Sequence, residues 1–188
     1  MKPHIINKEN LFLKGWYIRP QLCDEMIEIF RKNKSLQQAG NLDTGAKEGK
    51  VSTDISIDPT NMDVVKYTFA LKDCVTEYKK LYPVLDINVD KWAMKEFINI
   101  QRYQPNESFS LWHTESANLM SSHRMLVFMT YLNTVEEGGE TEWFHQKLKI
   151  KPEKGLTVLW PADWTYLHRG CPALNEIKYI TTGWFSYI

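Results

Sequence analysis

The chain has no surplus of charge of either sign: 23 Lys and Arg balance 23 Asp and Glu over 188 residues. A general nucleic-acid binder usually carries a basic excess, so the balance weighs against that class and leaves room only for a local basic patch. Cysteine is scarce. Cys23, Cys74 and Cys171 are widely spaced, odd in number and form no Cys-x-x-Cys pair, which argues against a disulfide scaffold or a zinc ribbon. No apolar run approaches the roughly 18 residues of a membrane span. The opening Met1-Lys2-Pro3-His4-Ile5-Ile6-Asn7-Lys8 lacks the apolar centre of a signal peptide. Internal repeats and low-complexity tracts are absent as well. These absences lead to the expectation of a reduced, cytoplasmic, soluble protein with no membrane association. A single domain over 1–188 suits the length. A chain of this size buries about 70% of its unfolded surface, so no staple is required for folding, and any bound metal is expected to be functional.

Aromatic residues are plentiful, with seven Trp and nine Tyr, which suits a β-rich fold with a lined pocket. Residues 1–20 read as an irregular lead with apolar patches at Leu11–Leu13 and Trp16–Ile18. Leu22, Met26, Ile29 and Phe30 recur at helical spacing and predict a helix over 21–32. Residues 34–50 are polar, carry Gly40, Gly45 and Gly49, and form the one long candidate loop. Val51–Ile57 alternates as a strand. A second helix is expected from about Asn61 to Leu81, with Val64, Tyr67, Leu71, Val75 and Tyr78 as its stripe and Pro83 just beyond. From residue 96 the texture changes to short alternating segments separated by turns: 96–103, 110–115, 123–133, 140–144, 147–150, 156–160, 165–168 and 176–187. That pattern signals a sandwich or jelly roll. The expected fold is mostly β with flanking α: N-terminal helices and a lid-like loop over 1–95 supporting a double-stranded β-helix over 96–188.

Leu111-Trp112-His113-Thr114-Glu115 is the segment richest in chemistry. On a strand, His113 and Glu115 share a face and can reach one ion, while Trp112 and Thr114 face away. His168 is expected to end another strand at the barrel mouth. Two imidazoles and one carboxylate with open positions form the ligand pattern of a non-haem Fe(II) oxygenase. His-x-Glu alone is a triplet that chance supplies often. Lys178 lies ten residues beyond His168 (178 − 168 = 10). It shares a strand face with Ile180, Thr182 and Trp184. If that face is inward, a buried ammonium needs a partner such as a ligand carboxylate; the opposite register would leave it in solvent. Asn99, Gln101 and Tyr103 would place a polar face inside a small barrel, and Tyr131 closes a strand on the face of Met125, Val127 and Met129.

In their order along the chain, these segments resemble the Fe(II)/2-oxoglutarate-dependent dioxygenases of the prolyl 4-hydroxylase-like branch, and among them the short members of marine bacteria and their phages. The resemblance rests on Ile100–Tyr103, Trp112–Glu115, Tyr131–Asn133, Glu137–Thr141, Lys151–Gly155, His168–Pro172, Lys178-Tyr179 and Gly183-Trp184. It covers 96–188 well and the first 95 residues loosely. It implies that His113, Glu115 and His168 hold Fe(II). It further implies that Lys178 pairs with the far carboxylate of 2-oxoglutarate, and that Tyr103, Tyr131 and Thr182 contact the same co-substrate. Trp184, with Trp112, would lie toward the substrate. The activity so implied is hydroxylation of a substrate C–H, a peptidyl proline by preference, with O2 consumed, 2-oxoglutarate decarboxylated to succinate, and ascorbate as an optional reductant. A small molecule or free amino acid is the alternative substrate. Glu115 departs from the family, which usually has Asp there; the extra methylene adds about 1.5 Å of reach. Two other classes compete on the same residues: a zinc hydrolase, which needs neither Lys178 nor the tyrosines, and a non-catalytic jelly-roll binding module. Oligomeric state is not legible.

Overall fold

A computed structural model describes residues 1–6, 12–40 and 49–188. In chain order the elements are β1 (Lys2–His4), β2 (Lys14–Tyr17), α1 (Pro20–Lys32), β3 (Gln38–Ala39), β4 (Thr53–Ile57), α2 (Val65–Leu81), α3 (Val84–Ile87), β5 (Trp92–Ala93) and β6 (Ile98–Tyr103). These are followed by β7 (Arg124–Tyr131), β8 (Thr141–Trp143), β9 (Leu148–Ile150), β10 (Leu156–Pro161), β11 (His168–Gly170) and β12 (Lys178–Tyr187). Among the described residues, nine strands form one sheet in the order β1-β2-β10-β7-β12-β6-β4-β3, with β5 added on β12; β11-β8-β9 form a second, smaller sheet. All the strand pairs are antiparallel. This is the expected mostly-β jelly-roll architecture with helices on one side.

Each face of the large sheet has its own chemistry because side chains alternate along a strand. Ile55 and Ile57 on β4, Ile98 and Ile100 on β6, Leu126 and Phe128 on β7, and Tyr179 and Phe185 on β12 pack against the helices. From the helices come Leu22, Cys23, Met26, Ile27 and Phe30 of α1 and Tyr67, Leu71, Cys74, Val75 and Tyr78 of α2. Burying a side chain of this size is worth about 1.5–3 kcal/mol, so this layer fixes which face of each strand points away from it. The opposite face runs in register rows. Asp54, Gln101, Ile180 and Tyr131 form one row, Ser56, Asn99, Thr182 and Met129 the next, and Trp184, Val127 and Trp160 a third; Tyr103 pairs with Lys178 beyond the first. The β7 and β10 end of this face joins Trp143 and Ile150 of the small sheet in a second apolar cluster. The β4 and β6 end is polar and lines a cavity.

Several boundaries differ from the sequence-based expectations. The N-terminal lead contains β1 and β2, and β2 pairs with β10, so residues before 96 complete the sheet as well as support it. The second helix begins at Val65, not near Asn61, because Asp58 and Asn61 cap their own local turns, with Oδ1 of each accepting the N–H two residues on. Residues 110–115 form no strand; their link to the small sheet is a lone bridge between His113 and His168. Trp164–Tyr166 is a 3-10 turn, so His168 opens a strand where the sequence suggested that it ends one. Within the predicted 34–50 loop, Lys34–Leu36 is a 3-10 turn and β3 pairs with β4; residues 41–48, the middle of the lid-like segment, fall outside the described residues. Among the described residues no helix is long and apolar enough to cross a membrane.

Candidate metal centre and adjoining cavity

His113 and His168 are held together by their own backbones: each N–H donates to the other's carbonyl at 2.9 Å. Each ring is oriented in the same way. Nδ1 of His113 is 2.9 Å from the Leu111 carbonyl, and Nδ1 of His168 is 2.9 Å from the Tyr166 carbonyl. A carbonyl oxygen only accepts, so the proton sits on Nδ1 and leaves Nε2 with a free lone pair in both rings. His113 stacks on Phe109 with centroids 3.7 Å apart, and His168 lies between Trp143 and Trp160 at 6.2 and 5.2 Å. These walls fix the rotamers.

Glu115 completes the group. Its Oε1 is 3.3 Å from Nε2 of His168 and 3.7 Å from Nε2 of His113, and the three ligand atoms all lie within 4.8 Å of one another. Two atoms each about 2.1 Å from one ion, at a right angle, are separated by about 3.0 Å, so the spacing fits a shared cation. Both neighbours of Glu115 are tied to Ala162, whose carbonyl accepts from the Thr114 side-chain Oγ1 at 2.8 Å and from the Ser116 backbone N–H at 2.9 Å. The second carboxylate oxygen, Oε2, accepts from the indole Nε1 of Trp184 at 2.9 Å. Burial pushes the Glu115 carboxyl up, but in the metal-free centre hydrogen bonds and positive charge from the imidazoles in their protonated form outweigh it and hold the group well below its usual range; a bound cation would take the place of those protons. Burial, aided by repulsion from His113, lowers His168 against the pull of Glu115. A charged carboxylate beside a neutral imidazole is the protonation pattern that a metal needs.

The centre opens into a cavity of about 380 Å³ between the two sheets, within the size range of small-molecule sites. Lys178 stands at its wall, 2% exposed. Its Nζ donates to the carbonyls of Gly139 and Cys171, both at 3.2 Å, and lies 4.8 Å from the Tyr103 ring centre. No carboxylate among the described residues pairs with it. Burial drives its pKa down to about 8, against smaller upward pulls from Cys171 and Glu140. The turn that supplies one of these carbonyls needs glycine: Gly138 and Gly139 have φ of +76° and +74°, and a Cβ on Gly138 would sit 2.4 Å from the Pro172 carbonyl. A buried ammonium with only neutral acceptors is costly unless a ligand completes it. The carboxylate of 2-oxoglutarate fits that requirement, as Fe(II) fits the two Nε2 lone pairs and Oε1.

The other sequence-predicted residues divide. Tyr103 and Thr182 line the cavity. The Tyr103 hydroxyl donates to Gln101 Oε1 at 2.8 Å, and Thr182 Oγ1 donates to the Phe128 carbonyl at 3.0 Å. Tyr131 is fully buried, and its hydroxyl lies 2.7 Å from Thr141 Oγ1 and 3.2 Å from the Ile150 carbonyl. Thr141, in front of it, is the residue that reaches the cavity wall. Trp112 lines the mouth beneath the Arg169 guanidinium, 4.4 Å from its ring centre. Trp184, expected on the substrate side, donates its indole N–H to Glu115 Oε2. The sequence reading missed Thr141, Arg124 and Glu96. Arg124 and Glu96 left a faint signal, as opposite charges near the starts of two strand segments.

A sequence profile of the 2OG-Fe(II) oxygenase superfamily matches residues 98–186. Prolyl 4-hydroxylase 13 of Arabidopsis thaliana is 30% identical over 115 residues, covering 47% of this chain and 42% of that protein. Procollagen-lysine,2-oxoglutarate 5-dioxygenase 1 of Gallus gallus is 25% identical over 168 residues, covering 87% of this chain and 22% of that protein. The chain thus spans less than half the length of these curated relatives. The fold is that of the viral collagen prolyl hydroxylase from Paramecium Bursaria Chlorella virus-1, solved as its 2OG complex. The TM-score is 0.71 at 19% identity, over 97% of this chain and 100% of that one. A prolyl hydroxylase from Trichoplax adhaerens, solved with a peptide fragment of the hypoxia inducible factor oxygen degradation domain, gives a TM-score of 0.71 at 14% identity, over 93% and 83%. With both imidazoles, the carboxylate and the buried lysine inside the matched segment, residues 98–186 are a 2OG-Fe(II) oxygenase domain.

Proposed function

We propose that the protein is an Fe(II)- and 2-oxoglutarate-dependent dioxygenase that hydroxylates a peptidyl proline, releasing succinate and carbon dioxide. The observation that carries this reading is the pairing of two sites in one cavity. Two Nε2 lone pairs and Glu115 Oε1 converge at one place, and at another stands a buried ammonium that no carboxylate among the described residues pairs with. Iron with 2-oxoglutarate, when bound, supplies oxygen activation and the oxidising power for C–H hydroxylation. The chain's own residues do the rest. His113, His168 and Glu115 hold the metal and leave part of its surface open. Lys178 orients the far carboxylate of the co-substrate, with Tyr103, Thr182 and Thr141 on the same walls and Tyr131 behind Thr141. The apolar Trp143–Trp160 side keeps water away from one flank. Proline as the substrate is supported by the prolyl hydroxylases among the relatives, and a peptide or protein partner by the peptide complex of one fold neighbour. The three unpaired cysteines support a reducing, cytoplasmic setting.

The direct test is turnover on a panel of proline-containing peptides with Fe(II), O2 and 2-oxoglutarate. Peptide mass increase by one oxygen, matched mole for mole by succinate, is the expected result. Succinate formed only with free amino acids would replace the peptide with the alternative substrate class. A zinc hydrolase is separated by thermal shift: Mn(II) and 2-oxoglutarate together are expected to stabilise the protein more than either alone, whereas a hydrolase gains nothing from the keto acid.

The lysine adds a pH dependence. Its ammonium is the form that binds a carboxylate, and in the protein without a ligand it titrates near pH 8. Below that value the affinity for 2-oxoglutarate is expected to be flat. Above it the affinity should fall, by up to about tenfold per pH unit, until the bound lysine also loses its proton. Calorimetric titration between about pH 6.5 and 9.5 spans this window; an affinity that stays flat to its upper end would contradict the assignment.

A further inference from the structure

We infer that Trp184, Arg124 and Glu96 act together as a clamp that lets a glutamate serve as the metal-facing carboxylate. The inference rests on the reading of His113, Glu115 and His168 as a metal site and concerns how Glu115 is held there. A glutamate has one more rotatable bond than an aspartate and loses more rotamer freedom when fixed. Left unrestrained, it either turns both oxygens to the cation or swings away. Here the two oxygens have separate duties. Oε1 faces both imidazoles, while Oε2 accepts the single indole N–H of Trp184 at 2.9 Å.

Trp184 is itself held. The Arg124 guanidinium lies 3.6 Å from its ring centre, a close cation–π contact. Nη1 of Arg124 also donates to the Glu115 backbone carbonyl at 3.3 Å and stands 4.0 Å from Oε2. The stronger contacts of the guanidinium go elsewhere. Nε and Nη2 reach Glu96 Oε2 at 3.0 and 2.7 Å, and Ser186 Oγ donates to Glu96 Oε1 at 2.9 Å. Glu96 therefore fixes Arg124 and offsets its charge, so that Glu115 is oriented without being drawn into a tight salt bridge. Trp184 and Ser186 are alternate residues of β12, so one strand face carries both the indole and the anchor, while a register shift opposite Phe185 and Ser186 leaves Met125 of β7 as the extra residue beside Arg124. The same strand begins at Lys178.

The roles are positional, and a double-mutant cycle on metal affinity tests them. Trp184→Phe keeps an aromatic ring and removes the donor. Mn(II) affinity, read by electron paramagnetic resonance, is expected to fall about tenfold, the scale of lost outer-shell bonds, with the melting temperature of the metal-free protein unchanged. The visible spectrum of the Co(II)-loaded protein should change as the carboxylate reorients. In a Glu115→Asp background, where the shorter carboxylate no longer meets the indole, Trp184→Phe should cost nothing further. Glu96→Gln, which leaves Trp184 in place, is the second variant, expected to lower Mn(II) affinity several-fold. Wild-type affinity in both Trp184→Phe and Glu96→Gln, or an equal loss from Trp184→Phe in the unaltered and Glu115→Asp backgrounds, would overturn the clamp while leaving the metal site standing. No Mn(II) binding by the unaltered protein would overturn the site and the clamp with it.

Discussion

His113→Ala is expected to eliminate Fe(II)-dependent turnover while the protein remains folded. The ring supplies one of two imidazole lone pairs, and its tautomer is already set by the Leu111 carbonyl. Losing a ligand outright should lower metal affinity by more than the ~100-fold upper range of outer-shell changes. The fold should tolerate the change because the side chain is one-fifth exposed. The bridge to His168 uses backbone atoms only. The melting temperature of the metal-free protein should move by a few degrees at most. Retained succinate formation would remove His113 from the site. A non-catalytic binding module predicts that no oxygen-dependent succinate forms in the unaltered protein either.

Lys178→Met should separate stability from function. The lysine is 2% exposed, donates among the described residues only to backbone carbonyls, and burial brings its pKa down to about 8. Its charged form is therefore disfavoured by folding, and that strain is present below about pH 8 and relieved as pH rises above it. An apolar side chain of similar length is expected to leave the metal-free protein at least as stable at about pH 7. The same change removes the buried cation that faces the co-substrate. A charge-assisted pair lost from a buried site costs on the order of 2–5 kcal/mol, so the affinity for 2-oxoglutarate should drop by at least about 30-fold. Mn(II) affinity should stay near that of the unaltered protein. A variant that melts early yet binds 2-oxoglutarate normally would make Lys178 a structural cation and not a ligand anchor.

Much of this arrangement was legible in the residues because strand alternation is a local rule. Asn99, Gln101 and Tyr103 opposite Ile98 and Ile100, and Lys178, Ile180, Thr182 and Trp184 opposite Tyr179, point to a sheet with an apolar back and a polar front. Helix α1 follows from Leu22, Met26 and Phe30. The misses come from information that is not local. Residues 110–115 alternate like a strand, but only His113 finds a bridging partner, so His113 and Glu115 sit on a bridged loop while His168 lies on β11. The lead before α1 looked irregular because the pairing of β2 with β10 joins residues far apart in the chain. Tyr131 shares its face with Met129 as expected, yet Thr141 of the other sheet stands between its hydroxyl and the cavity, and no pattern within one strand reveals that. Glu96, Arg124 and Trp184 come from three different segments, and only the fold brings them to Glu115.

The central claim is that one cavity takes iron and 2-oxoglutarate together, through His113, Glu115 and His168 at one place and Lys178 at another. Anaerobic titration of the protein with Fe(II) and then 2-oxoglutarate tests it most directly. The account predicts a visible metal-to-ligand charge-transfer band that saturates at one equivalent of each, disappears on exposure to oxygen, and is absent in His113→Ala. A protein that binds both components yet never develops the band, or develops it equally in His113→Ala, would contradict it.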